Sequence, residues 1–372
     1  MNPDFPVVYL LIYIIILFLY LGNSVIKINE YLKHFLFRAV WIFLAISSGT
    51  RVCVGGDWIG YGDLFKSQED IEFNFISDDP TEVIFRFIAY ISSNAGFSFE
   101  VFNLIISCLT CYFLYRGIWS LNKNNAFLLT LLYFSVLYFN QQFGIIRTGL
   151  AASIFIYSIS YLEKAKIRFL GLSLLSYNIH NTSVVPTIIA FAVNRKISKF
   201  VIYSLVFFGG LFFFRSDIIL SLLMSFLKLF GVSYLNYSSS VVEYFEKGKI
   251  TNTTFMAVVF FLFYIKSKAT LHPFYVNMTA VFILINLVFP YQGILSRFNA
   301  FMLIPVWVFI VKSIEQYSRP MQLFSNIILI IYSFTALSLI FSDPDLSLFR
   351  PYNTWLFDFN LRFSDCSTEY QY

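Results

Sequence analysis

Four arginines, two carboxylates and one histidine stand in this chain where apolar packing has no use for them: Arg51, Arg147, Arg297, Arg350, Asp57, Glu82 and His180. The guanidinium fork suits phosphate and carboxylate oxygens, which it binds bidentately and without titrating. Histidine titrates near neutral pH and is the usual general base where a hydroxyl must lose its proton. Together these types fit the handling of an anionic, phosphate-bearing group beside a proton acceptor. Arg147 resists a bland reading best. It follows "GII" at the start of an apolar run and has no acid within fifteen residues. Charges within membrane-spanning segments are functional candidates by default. The others have plainer readings. Arg51 read alone is equally a snorkelling side chain. Glu82, in "DPTE", suits a helix N-terminus where Asp79 or Thr81 caps. His180 is equally a satisfied polar residue within a bundle.

The elements that must position these residues are set by composition. Of 372 residues, 58% are hydrophobic and only 13% are charged, against about 25% charged in soluble domains. Apolar runs long enough to cross about 30 Å of hydrocarbon recur along the chain. This predicts an all-α, polytopic integral membrane protein of about ten spanning helices, with no domain boundary in residues 1–372. The expected spans are 6–22, 34–50, 98–116, 126–141, 145–162, 198–214, 253–265, 273–289, 295–311 and 322–341. The first has no basic residue ahead of it and no small-residue cleavage pattern after it, so it reads as a spanning helix and not a signal peptide.

Charge sets the orientation. Six alternate loops ("KINEYLK", "RGIWSLNK", "EKAKIR", "NRKISK", "KSK", "KSIEQYSR") hold 14 of the 26 basic residues and 3 of the 21 acids. By the positive-inside rule they face the cytoplasm. The loops 51–82 and 231–252 and the tail 342–372 are then extracytoplasmic. Residues 166–193 begin and end on the basic side, so "NIHNTS" should break a re-entrant hairpin carrying His180. Residues 83–95 and 216–230 are further candidates for half-inserted helices. All the candidate residues thereby gather on the outer side, where an anion at the lipid boundary points to a phosphate-linked lipid in an outer-face cavity. Trp58, Tyr61 and Tyr291 are available there to stack on sugar faces, although interfacial aromatic belts explain such residues without a ligand.

Several classes are excluded or disfavoured. A basic patch for nucleic acid is missing, as are a phosphate-cradling glycine loop and a convincing metal-binding acid pair. "DPD" at 343–345 reads as a turn. "CLTC" has redox spacing but lies in an apolar helix, which makes Cys108 and Cys111 small hydrophobes. A bridge between Cys53 and Cys366 is open if both are extracytoplasmic. Without a visible repeat and with charges on one side only, a transporter is less well supported than an enzyme.

The stretches "RVCVGGDWIGY", "DPTEVIFRFIAYI", "GIIRTGLAASIFIYSISYLEK", "IRFLGLSLLSYNIHNTSVV" and "GILSRF" resemble, in order, the motifs of the EpsG family. That family belongs with the Wzy-type O-antigen and exopolysaccharide polymerases. The resemblance covers most of residues 50–300, with Gly-Gly-Asp where Gly-Thr-Asp is commoner. It implies a glycosyltransferase of the bacterial inner membrane with its active site facing the periplasm. The donor would be a glycan on undecaprenyl pyrophosphate and the acceptor the next lipid-linked repeat unit. Neither cofactor nor metal is expected; partners are that lipid-linked oligosaccharide, membrane lipid and, as an open question, a chain-length regulator. On this reading Arg147, Arg297, Arg51 and Arg350 hold pyrophosphate. His180 is the first candidate base, Asp57 the second, and Glu82 orients substrate or an arginine. An O-antigen ligase would share these arginines, and a flippase of the same lipid-linked sugar is the non-enzymatic alternative. A membrane acyltransferase ranks third.

Overall fold

The computed structural model describes residues 7–26, 28–68, 73–74, 81–194, 272–288, 295–342 and 354. All regular structure among them is helical, and the chain divides into two compact units, Met1–Val184 with Arg319–Tyr372, and Val185–Ser318. Among the described residues five helices are long and apolar enough to cross a membrane: α1 (Val7–Ile26), α2 (Glu30–Gly49), α5 (Phe99–Asn122), α11 (Leu295–Ile314) and α12 (Arg319–Ser342). Three further expected spans are shorter apolar helices, Ala126–Tyr138, Ile146–Ile159 and Pro273–Asn286. The spans expected at 198–214 and 253–265, and the segment 216–230, lie outside the described residues.

In the first unit, α1 shows how the sequence sorts its faces. Tyr9, Ile12, Tyr13, Ile16 and Tyr20 recur at helical spacing and are buried, while Leu11, Ile14, Ile15 and Phe18 are apolar and exposed. A water-soluble helix would put polar residues on that second face. Here the outward face is as apolar as the inward one, as a lipid solvent requires. The inward tyrosines tie α1 to α12 (Arg319–Ser342): the Tyr13 hydroxyl lies 2.9 Å from Ser333 Oγ, and Tyr9 stacks on Phe341.

α2 starts at Asn29, whose side chain accepts the Tyr31 amide at 2.9 Å and so satisfies one orphan donor of the first turn. α5 packs between α2 and α7 (Ile146–Ile159). Every residue of α6 (Ala126–Tyr133) is buried, which makes it a core helix. The chain after α6 does not open into a loop between the expected spans 126–141 and 145–162. It continues through two π-helical turns, Phe134–Tyr138 and Asn140–Gly144, and breaks only at Ile145 (φ −86°, ψ 64°). Such wide turns cost hydrogen-bond geometry and concentrate at functional sites.

Two short helices occupy the segment before α5: α3 (Trp58–Lys66), within the stretch expected as the outer loop 51–82, and α4 (Val83–Asn94), the amphipathic segment expected at 83–95. α8 (Lys166–Tyr177) packs on α7, with Ser176 Oγ donating to the Ala151 carbonyl at 2.8 Å. The expected break follows: α8 stops at Tyr177, a 3₁₀ turn covers Asn181–Ser183, and helix resumes as α9 (Val184–Val193).

In the second unit, α9 meets α10 (Pro273–Val288) through Asn277 Nδ2, which donates to the Val193 carbonyl at 2.8 Å. α10 packs on α11 (Leu295–Ile314), where Asn286 and Asn299 exchange amide hydrogen bonds of 3.2 and 3.3 Å. α11 is a core helix despite Pro305 in its interior.

Candidate functional site

Glu82 is the N-cap residue of α4, yet its side chain does not cap that helix. It turns away and joins two distant segments. Oε1 accepts from the Asn181 amide at 2.9 Å and lies 2.7 Å from His180 Nδ1. Oε2 accepts from an Arg147 terminal nitrogen at 3.1 Å. The α4 backbone makes the same connection, because the Ile84 amide donates to the Asn178 carbonyl at 3.0 Å. The polar break "NIHNTS" is therefore docked on the first turn of α4, with Glu82 as the clasp. Arg86, one turn further on, donates through Nε to the Thr81 carbonyl at 3.0 Å and fixes the approach to that turn.

The environment keeps the Glu82 carboxylate ionised. Burial alone would raise the Glu82 carboxyl, but the His180 hydrogen bond and the Asn181 amide outweigh it and hold the group below its ordinary range. A carboxylate on Nδ1 fixes the ring orientation. In the neutral imidazole it keeps the proton on Nδ1, leaving Nε2 as the basic nitrogen. The side chains of Glu82 and His180 are nearly enclosed, whereas that of Arg147 is 27% exposed.

Arg147 is the second residue of α7, beside the free amides of that helix's first turn. Its guanidinium lies 5.9 Å from the ring centres of both Tyr61 and Phe85. One terminal nitrogen is engaged by Glu82, while Nε is buried and among the described residues has no hydrogen-bond partner. A buried, unsatisfied cationic donor is costly unless a ligand completes it. Tyr61 shares the charge field of the site. Burial pushes its phenol up, the Arg147 charge opposes that, and Asp57 adds to it. Asp57 itself is exposed at the N-cap position of α3. Asp57, Tyr61, Glu82, Arg147 and His180, drawn from four separate segments, thus form one neighbourhood.

Two glycines let these segments meet. Gly55 has φ +116°, and a Cβ there would fall 1.8 Å from the Phe143 carbonyl oxygen. On Gly149 a Cβ would fall 2.4 Å from the Gln141 oxygen. The loop after α2, the second π-helical turn and the start of α7 are therefore in backbone contact.

The remaining candidates are placed differently. Arg51 is 1% exposed and turned into the protein. Its Nε donates to the Val54 carbonyl at 3.0 Å and its terminal nitrogen to the Ser48 carbonyl at 2.5 Å. It lies 4.8 Å from the Phe143 ring centre and 5.2 Å from that of Trp58. Trp58 is 3% exposed and packs edge-on against Phe99. Arg297 is half-buried in the first turn of α11, in the second unit. Arg350 and Tyr291 lie outside the described residues. Among the described residues no group of three or more His, Cys, Asp or Glu side chains is placed to hold a metal ion. Cys108 and Cys111 are free thiols, Cys53 is disulfide-bonded, and Cys366 is not described.

The EpsG family model matches residues 34–354 of the chain. The chain belongs to the EpsG family. EpsG is a Wzy-type polymerase family, so this is a membrane protein of the polysaccharide-polymerase, glycosyltransferase-like type. The EpsG match spans every segment that contributes to the Glu82 cluster, from the Gly55 loop to the His180 turn. Neither a curated protein nor a solved structure matches the chain.

Sequence reading did not find the backbone amide of Asn181, the Phe85 ring beside Arg147, or the π-helical turns ahead of α7. The one local signal that pointed there is Glu82 itself, a carboxylate at a helix start one turn ahead of the Phe85 ring.

Proposed function

We propose that this EpsG-family protein joins repeat units linked to undecaprenyl pyrophosphate, on the periplasmic face of the bacterial inner membrane. It would cross that membrane about ten times around an outer-face cavity. The observation that carries the reading is the Glu82 clasp, which presents an arginine with unused donors and a histidine with a fixed tautomer side by side. Transfer of a glycan from a pyrophosphate carrier needs those two functions. Arg147 holds the pyrophosphate through its remaining N–H groups and stabilises the charge that grows on it as the glycosidic bond breaks. His180 Nε2 takes the proton of the acceptor hydroxyl as that oxygen attacks the anomeric carbon, and Glu82 stabilises the resulting imidazolium. Asp57 is the alternative base, and Tyr61 and Tyr291 are sugar-facing aromatics. Arg297 and Arg350 are further pyrophosphate ligands. Arg51 and Trp58 act by holding the Gly55 loop against Phe143. The disulfide at Cys53, in the same loop, supports an oxidising compartment for this side.

No cofactor or metal is required by this scheme. The test is deletion of the gene followed by electrophoresis of the surface glycan. Loss of the polymer ladder with single-unit product retained is the expected result. Complete loss of surface glycan would assign export instead, and accumulation of free polymer would assign ligation.

A further inference from the structure

α2 and α5 run antiparallel. At one end Asn103 Nδ2 donates to the Gly49 carbonyl at 2.9 Å, and towards the other Arg38 lies 6.0 Å from the Tyr115 ring centre. Between these points their outer faces part to leave a groove of about 420 Å³. Ile42, Ala45, Ile46, Cys108 and Tyr112 line its apolar length, and Arg38 and Arg116 close its basic end. Both arginines are exposed, and among the described residues neither forms a salt bridge. The nearby acid Glu30 is already paired with Lys123 at 3.4 Å. Trp41, 2% exposed, forms part of the groove wall, and its indole N–H has no hydrogen-bond partner among the described residues.

Arg38 sits eight residues into α2 and Arg116 six residues before the end of α5, roughly 12 and 9 Å from the helix ends at 1.5 Å per residue. Two cations at that depth with aromatic partners alone, Tyr115 beside Arg38 and Tyr157 beside Arg116, are costly in hydrocarbon and need an anion or the interface. Both can snorkel to the interface, but a groove leading from them into the apolar layer offers more than water does. Its shape and charge match one molecule class: a phosphodiester headgroup at the arginines with an acyl chain laid along Ile42, Ala45 and Ile46. Basic pockets between spanning helices bind anionic lipid headgroups in this way.

We propose that the α2–α5 groove, which shares no residue with the Glu82 cluster, is a binding site for one anionic glycerophospholipid. The probe is phosphatidylglycerol against phosphatidylcholine of matched chain length, offered at equal concentration to the full chain in neutral detergent and read by native mass spectrometry. The wild type should retain one phosphatidylglycerol in preference to phosphatidylcholine. Arg38→Gln with Arg116→Gln should lower that preference on the order of thirtyfold, two basic residues acting on one headgroup. Ala45→Phe, which fills the groove and leaves both arginines in place, should lower occupancy by either lipid. Unchanged preference in the double variant, or full occupancy in Ala45→Phe, would overturn the proposal. So would displacement of phosphatidylglycerol by equimolar undecaprenyl phosphate, which would assign the groove to the carrier.

Discussion

Glu82 and His180 are 98 residues apart in sequence and 2.7 Å apart in the structure, carboxylate oxygen to Nδ1. With Arg147 on its second oxygen, Glu82 holds a candidate acid–base group and a candidate anion-binding group to one another. If His180 is the base, Glu82→Gln keeps the shape but lets the ring turn or change tautomer. Loss of the carboxylate that orients a general-base histidine costs rate while leaving the base itself in place. Glu82→Gln should therefore shorten the polymer ladder at normal protein level, and His180→Gln should abolish it. A near-normal ladder in His180→Gln would remove the histidine from the chemistry.

The Glu82 pKa is lowered on folding, from an ordinary value of 4.5. Its ionised form is thus favoured by the folded state. The resulting stability is fully present above that ordinary value and is lost as pH falls through the lowered one. Melting temperature followed from about pH 6 downward should fall on the acid side with a component missing in Glu82→Gln. Parallel acid limbs in the two proteins would show that Glu82 gains nothing from its partners.

Arg51 is predicted to be a positioning residue. Lysine cannot reproduce its paired bonds to Ser48 and Val54 between the rings of Phe143 and Trp58. Hydrogen bonds to charged groups are worth about 1.5–3 kcal/mol each, so Arg51→Lys should lower the melting temperature along with activity. Full stability with lost activity would instead give Arg51 a direct role toward substrate.

Gly55→Ala should be more damaging than its size suggests. Its φ of +116° is open to glycine alone in practice, and the added Cβ would overlap the Phe143 carbonyl. Backbone strain of this kind costs on the order of 1–3 kcal/mol before the overlap is counted. The readout is yield and thermal stability of the detergent-solubilised protein, and wild-type behaviour would mean the loop does not pack on Phe143.

The helical elements were legible because lipid demands them: apolar runs of spanning length fixed α1, α2, α5, α11 and α12 to within a few residues at most of their ends. The break at "NIHNTS" was legible too, from polar residues in an apolar stretch. The π-helical turns were not. Asn140 to Gly144 have the polar composition of a loop, and only packing around Gln141, Gln142 and Phe143 keeps them helical. Arg51 shows the opposite limit. Its place in the first of the family motifs said nothing of its rotamer, which three-dimensional packing turned inward. Glu82 was expected near a helix start and is there, but its partners lie 65 and 98 residues away, beyond any local pattern.

The central claim is that Arg147, held by Glu82, takes the pyrophosphate of a lipid-linked donor. The most direct measurement is polymerisation by the purified full chain in proteoliposomes supplied with undecaprenyl-pyrophosphate-linked repeat units. Arg147→Ala, folded and inserted as the wild type, should lose at least the 10²–10³ in rate typical of one missing charge-stabilising donor. Single units should remain unjoined. A ladder of wild-type length from Arg147→Ala would contradict the account.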